Sequence, residues 1–207
     1  IPQPVKTIEI PSFSLQYAGS IWDHLPKGIY SPQPQTMEAY DQNQGLIVYK
    51  TRLIGHKSGK LKIWEPHDYA LVYLNGKFID TVFRDGGKWE VDLPKSEVKE
   101  PVLEILVEGM GHINFAQFMI DRKGITDRVT LNGMTLMNWE TFLLPMDEKF
   151  IASLKLEKTD NINKKSCQFF KGEFTLEEKG DTFFDMSRYS KGVLYVNGHN
   201  LVRFWNI

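Results

Sequence analysis

The run Leu71-Val72-Tyr73-Leu74-Asn75-Gly76 returns 122 positions later as Val193-Leu194-Tyr195-Val196-Asn197-Gly198. An apolar run that ends in Asn-Gly leaves a chain few options. A two-residue hairpin turn needs positive φ at both central residues, and Asn-Gly tolerates that best. A third pair, Asn132-Gly133, also lies between apolar runs, so three hairpins are predicted. A second marker supports the repeat: Tyr49-Lys50-Thr51-Arg52-Leu53 stands 121 positions before Phe170-Lys171-Gly172-Glu173-Phe174. Two related modules follow. The first continues after its Asn-Gly through Trp89-Glu90-Val91-Asp92-Leu93 and Val102 to Val107, whereas the second has nine residues left. The second module is therefore expected to be incomplete at its C-terminus, and the chain to be a piece of a longer polypeptide.

Helical periodicity is scarce, and short alternating runs of β-branched and aromatic residues bounded by Gly, Pro, Asn and Asp dominate. The fold class read from this pattern is all-β, as two jelly-roll β-sandwich modules. Strands are expected at Leu46 to Ile54, Lys60 to Trp64, Ala70 to Leu74, Phe78 to Phe83, Trp89 to Leu93, Val102 to Val107 and Arg128 to Leu131. In the second module they are expected at Phe150 to Leu156, Gln168 to Leu176, Thr182 to Met186, Val193 to Val196 and Leu201 to Trp205. The long connection from Phe83 to Val102 suits a Greek-key crossing between sheets.

Pro2, Pro4 and Pro11 exclude a central strand early in the chain, because proline removes ladder donors. Residues 1–20 are read as a linker, 21–146 as the first module and 147–207 as the second. Asn138 to Asp147, with Trp139, Phe142 and Pro145, is expected to be an apolar connector packed between the modules.

The 207 residues carry 25 Lys and Arg against 26 Asp and Glu, a formal net charge of −1. With no basic stripe, nothing points to nucleic acid or an anionic membrane. No apolar stretch approaches the roughly 20 residues of a bilayer span, and the start at Ile1-Pro2-Gln3-Pro4 has no signal-peptide pattern. A lone cysteine, Cys167, excludes an internal disulfide framework and sits in an apolar run as a small hydrophobe.

The patterns of hydrolytic chemistry are absent: there is no Gly-x-Ser-x-Gly, no His-Glu-x-x-His and no phosphate-binding glycine loop. The five histidines are scattered without ligand spacing, so neither a metal nor a cofactor is expected. A retaining glycosidase needs two carboxyl groups about 5 Å apart. Glu90, Asp92 and Glu104 instead alternate with apolar residues, which places them on solvent faces. Glu108, ahead of Gly109-Met110-Gly111, is the one acidic residue placed like a site residue. Among the five tryptophans, Trp64, Trp89 and Trp205 fall in strand patterns, while Trp22 and Trp139 fall in connectors. Trp22, Trp64 and Trp139 are the candidate sugar platforms.

Ser31-Pro32-Gln33-Pro34-Gln35-Thr36-Met37-Glu38, followed by Gln42-Asn43-Gln44-Gly45-Leu46-Ile47-Val48-Tyr49, resembles the start of the first β-domain of glycoside hydrolase family 35 β-galactosidases. The likeness continues in order through Leu106 to Phe115, Asp121-Arg122-Lys123-Gly124-Ile125 and Tyr195 to Trp205. The resemblance implies a parent enzyme that removes terminal β-linked galactose with retention. Its catalytic (β/α)₈ barrel would precede Ile1, so no residue here inherits a catalytic role. It further implies that the chain packs on that barrel, and that Glu108, His112, Asn114 and Phe115 wall the β-galactoside pocket. His112 stands where arginine is usual, Phe115 where tyrosine is frequent and Ala116 where glycine is frequent. By the same analogy the parent would be secreted, periplasmic or lysosomal.

Two other readings compete. A carbohydrate-binding module would have its own sugar site on an exposed tryptophan. Hydrolysis by this chain itself lacks a placed carboxylate pair. An incomplete second module is also expected to leave a strand edge open to self-association.

Overall fold

The computed structural model describes residues 4–206, so Pro2 lies outside the described residues. Strands run in chain order as β1 Gln16–Ser20, β2 Ile29–Ser31, β3 Gly45–Arg52, β4 Gly59–Ile63, β5 Pro66–His67 and β6 Tyr69–Leu74. They continue as β7 Lys77–Phe83, β8 Glu90–Leu93, β9 Val102–Gly109, β10 Gly124–Ile125, β11 Val129–Leu131 and β12 Met134–Thr135. The last four are β13 Trp139–Leu144, β14 Gln168–Lys171, β15 Lys191–Val196 and β16 His199–Trp205, and one helix, α1, spans Glu148–Ser153. The chain forms two compact units: His24–Phe150 is one, and the segments before residue 24 and after residue 150 make the other.

The His24–Phe150 unit is a β-sandwich. A six-stranded antiparallel sheet in the order β2-β13-β3-β9-β6-β7 faces a four-stranded sheet in the order β12-β11-β4-β8. β8 lies within the long connection between β7 and β9 and crosses to the smaller sheet, as a Greek-key path requires. Alternation decides which side chains meet: Ile47, Val72 and Ile105 from the larger sheet share one core with Leu61, Ile63 and Val129 from the smaller. β9 departs from alternation, and Leu103 to Val107 are all buried, as expected of a central strand covered on both faces. Glu104 is consequently not on a solvent face. It is buried opposite Lys50, whose Nζ lies 3.2 Å from its carboxylate.

All three Asn-Gly pairs form the expected hairpins, with φ of 49° and 76° at Asn75-Gly76, 50° and 81° at Asn132-Gly133, and 51° and 86° at Asn197-Gly198. The internal repeat extends to a defect. Val72 pairs with Asp80 and Tyr73 with Phe78, leaving Ile79 as an extra residue; Leu194 pairs with Val202 and Tyr195 with Asn200, leaving Leu201. The two bulges are again 122 positions apart. Beyond each hairpin a backbone bond also repeats at that offset, Arg84 N to Asp68 O and Asn206 N to Ser190 O, both 2.8 Å.

The second unit is less regular. β1 pairs with β14, β15 with β16, and Phe13, Phe174 and Phe184 form a small aromatic cluster. Residues 16–20, read as linker, are thus a strand; the proline-rich stretch before them hides a run whose Tyr17 and Ala18 are buried. Phe150 to Leu156 is not a strand. Asp147 Oδ1 accepts from Phe150 N at 2.7 Å and caps α1, so a local side-chain bond overrides the apolar pattern. Gln168 to Leu176 is extended only to Lys171, and Thr182 to Met186 forms no strand.

Asn138 to Asp147 is also not a connector. β13 is a central strand between β2 and β3, and Trp139 is completely buried, stacked edge-on against Tyr49 with Nε1 donating to Leu136 O at 3.0 Å. Among the described residues no helix is long and apolar enough to cross a membrane. Truncating Trp139 to alanine is expected to destabilise the His24–Phe150 unit by about 3 to 5 kcal/mol in a urea titration, as removal of a large buried aromatic does, and truncation of the partly exposed Trp64 far less.

Candidate functional site

Strand register brings three of the four residues of the site together. Tyr69 pairs with Phe83, which brings Asp68 level with Arg84, and His67 pairs with Gly124, which brings Asp68 level with Lys123. The four side chains at this junction close a ring. Arg84 Nη1 reaches Asp68 Oδ1 at 3.0 Å and Asp121 Oδ1 at 2.8 Å, while Lys123 Nζ reaches Asp68 Oδ2 and Asp121 Oδ2 at 2.8 Å each. Two cations meet two anions, so the ring is neutral. Lys123 and the Asp121 carboxylate are fully enclosed, where loss of any one partner would strand an uncompensated charge.

The ring is tied to backbone on several sides. Lys123 N donates to both oxygens of Glu38, at 2.9 and 3.1 Å, and Lys123 O accepts from Met37 N at 2.8 Å. The proline-rich motif before Glu38 is held in turn by Tyr49, whose hydroxyl donates to Gln35 O at 2.7 Å and accepts from Ile125 N at 3.1 Å. That hydroxyl occupies the space a Cβ at residue 124 would need, and Gly124 has a φ of +99°. Burial pushes the Tyr49 hydroxyl far above its ordinary pKa. Met110 N donates to Asp68 Oδ2 at 2.7 Å and Ile113 N to Asp121 Oδ2 at 3.1 Å.

Those last two bonds fasten the segment that leaves β9. Residues 110–120 form a loop with a short 3₁₀ turn at Ala116–Phe118, and Ala116 adopts a left-handed φ of 61°. Its base is held by buried charge, and its tip is apolar and open: Phe115 is 80% exposed, Ile120 85% and Met119 64%. Solvent-exposed apolar side chains on a stiff base are the signature of a contact surface.

The sequence-derived residues fall as follows. Asn114 and Phe115 lie on the exposed loop. Glu108 does not; it is inside β9, paired with Leu46 and Tyr69, and its carbonyl accepts from Asp68 N at 3.0 Å. His112 is itself exposed, and its ring reaches two backbone carbonyls, Nδ1 lying 2.7 Å from Asp121 O and Nε2 3.0 Å from Asn43 O. Trp139 is buried in the core and cannot serve as a platform. Trp64 has Lys62 Nζ 3.7 Å and Arg128 Cζ 4.6 Å from its ring centroid, and Trp22 has Lys165 Nζ at 3.8 Å. Both rings stack on cations of their own unit. Among the described residues no group of three His, Cys, Asp or Glu side chains gathers as metal ligands.

Burial would push the Asp121 carboxyl up, but hydrogen bonds from Lys123, Ile113 N and Arg84 outweigh it and lower it from 3.8 to about 2. Arg84, disfavoured by burial, is held charged above its ordinary value by hydrogen bonds to Asp121 and Asp68.

The His24–Phe150 unit is thus a β-sandwich that presents an anchored apolar loop. Comparison with known proteins gives the family. A model described as "Beta-galactosidase, first all-beta domain" matches residues 34–145, and one described as "Beta-galactosidase, galactose-binding domain" matches residues 167–207. The chain belongs to the β-galactosidase family, of which it carries these two β-domains. Among its relatives, the β-galactosidase of Xanthomonas manihotis is 33% identical across all of this chain and 34% of its own length. Beta-galactosidase 17 of Arabidopsis thaliana is 32% identical over 86% of this chain and 29% of its own. Human beta-galactosidase-1-like protein 2 is 31% identical over 91% and 31%. The chain thus spans about a third of the length of these relatives.

Because Asp121 is depressed in the folded state, its contribution to stability is present above the ordinary carboxylate range and lost as the carboxyl is protonated. Stability of the His24–Phe150 unit should fall between about pH 4 and pH 2. Asp121→Asn should cost about 3 kcal/mol at neutral pH and flatten that acid limb, as read by urea midpoints across pH.

Proposed function

We propose that the chain is the accessory β-sandwich region of a β-galactosidase-type glycoside hydrolase, packing on the catalytic barrel of the same polypeptide and closing one side of its β-galactoside pocket. The parent would remove terminal β-galactosyl residues with retention, using carboxylates supplied by the barrel. The observation that carries this reading is the loop 110–120, an apolar tip on a base fixed by buried ion pairs. The base of such a loop is held in place before docking, so only its tip is left to order against another domain. Phe115, at the tip, offers a ring face for a sugar but no hydroxyl donor. His112 contributes by holding the loop rather than by touching substrate, and Glu108 by pairing within β9.

A second reading, a carbohydrate-binding module, draws support from the description of the model that matches residues 167–207. Against it, the Trp22 ring of that unit already carries the Lys165 ammonium. The two readings separate in a titration of the chain with galactose, lactose and a β-galactoside oligosaccharide, followed by tryptophan fluorescence and calorimetry. A pocket wall without its barrel should give no saturable signal at millimolar sugar. Saturable binding abolished by Trp22→Ala would replace the first reading with the second.

A further inference from the structure

The loop is fastened a second time, by a bond pair that depends on a proton. His112 brings Nδ1 to 2.7 Å from Asp121 O and Nε2 to 3.0 Å from Asn43 O. A backbone carbonyl only accepts, so each contact needs an N–H on the ring. Neutral imidazole has one N–H and imidazolium has two. We propose that His112 is a protonation-dependent latch: doubly protonated, it ties the loop to both residue 43 and residue 121, and neutral, it releases one of them.

The surroundings fit a cation that binds backbone rather than a carboxylate. The Asp121 carboxylate is taken by Lys123, Arg84 and Ile113 N, and Glu38 accepts from Lys123 N. Asp68 is shared by the same two cations and by Met110 N. His67 makes a parallel contact from β5, with Nδ1 2.7 Å from Arg122 O and 3.5 Å from Asp121 Oδ1, and Nε2 3.5 Å from Glu65 Oε2. Asp41 stands two residues from Asn43. The two histidines therefore grip successive carbonyls, but only His112 bridges them to a second segment. An arginine at this position would supply two N–H donors at every pH; histidine makes the same bridge conditional. The bridge is complete when the ring carries both protons and loses a bond when it carries one.

The test is nuclear magnetic resonance on the 15N-labelled chain between about pH 5 and 8. Both ring nitrogens of His112 should be protonated at the acid end. Opening of the amides of residues 113–120, corrected for intrinsic exchange, should rise about tenfold toward the alkaline end, the effect of one charge-assisted hydrogen bond, while β3 and β9 amides stay unchanged. His112→Arg should keep the loop closed across the range and His112→Phe open across it, with the same β3 and β9 amides reporting an intact fold. Loop opening that still follows pH in His112→Arg would move the effect to His67 and overturn the proposal, as would a singly protonated ring with pH-independent loop order. This outcome is independent of sugar binding or docking, since it concerns the order of the loop and not what the loop touches.

Discussion

The ring of Arg84, Asp68, Lys123 and Asp121 is the interaction on which the rest of the site depends. Each carboxylate gives one oxygen to Arg84 and the other to Lys123, and each Oδ2 also accepts a loop amide. Buried ion pairs add little net stability compared with apolar packing of the same shape. Their worth here is positional. A hydrophobic contact would let the exit from β9 slide, whereas the four ring contacts orient two carboxylates that each hold one loop amide, of residues 110 and 113, and leave the loop tip free of that duty.

The repeat shows that this chemistry is an addition to the hairpin rather than a property of it. Both copies share the Asn-Gly turn, the bulge and the backbone bond beyond it. Where the first copy has Asp68 and Arg84, the second has Ser190 and Asn206, and the Asn206 amide satisfies itself on the carbonyls of Met186 and Tyr189. The same backbone therefore supports a charged junction in one module and a neutral one in the other.

The strands and hairpins of the first sandwich were legible because alternation and Asn-Gly act locally. Trp139 misled, because β13 is buried along most of its length and has no alternation to read. Glu104 misled for the opposite reason: its spacing was that of a solvent face, but β9 is covered on both sides and Lys50 compensates the charge. The helix at Glu148–Ser153 turned on one Asp147 bond that no periodicity records. The ionic ring was hidden most completely. Asp68, Arg84 and Lys123 sit at strand ends where charged residues are ordinarily solvated, and only the register counted back from Asn75-Gly76, through its bulge, puts two of them side by side. Of the wall residues, the exposure of Phe115 was accessible to sequence reasoning and the carbonyl contacts of His112 were not.

The most direct measurement compares amide exchange of residues 110–120 in Lys123→Met with that in Leu131→Ala, two buried substitutions brought to equal global stability with denaturant. If the ring positions the loop, protection there should fall at least tenfold in Lys123→Met and remain at the wild-type level in Leu131→Ala. Equal loss in both variants would mean that the loop follows the stability of the sandwich as a whole, and would contradict the account.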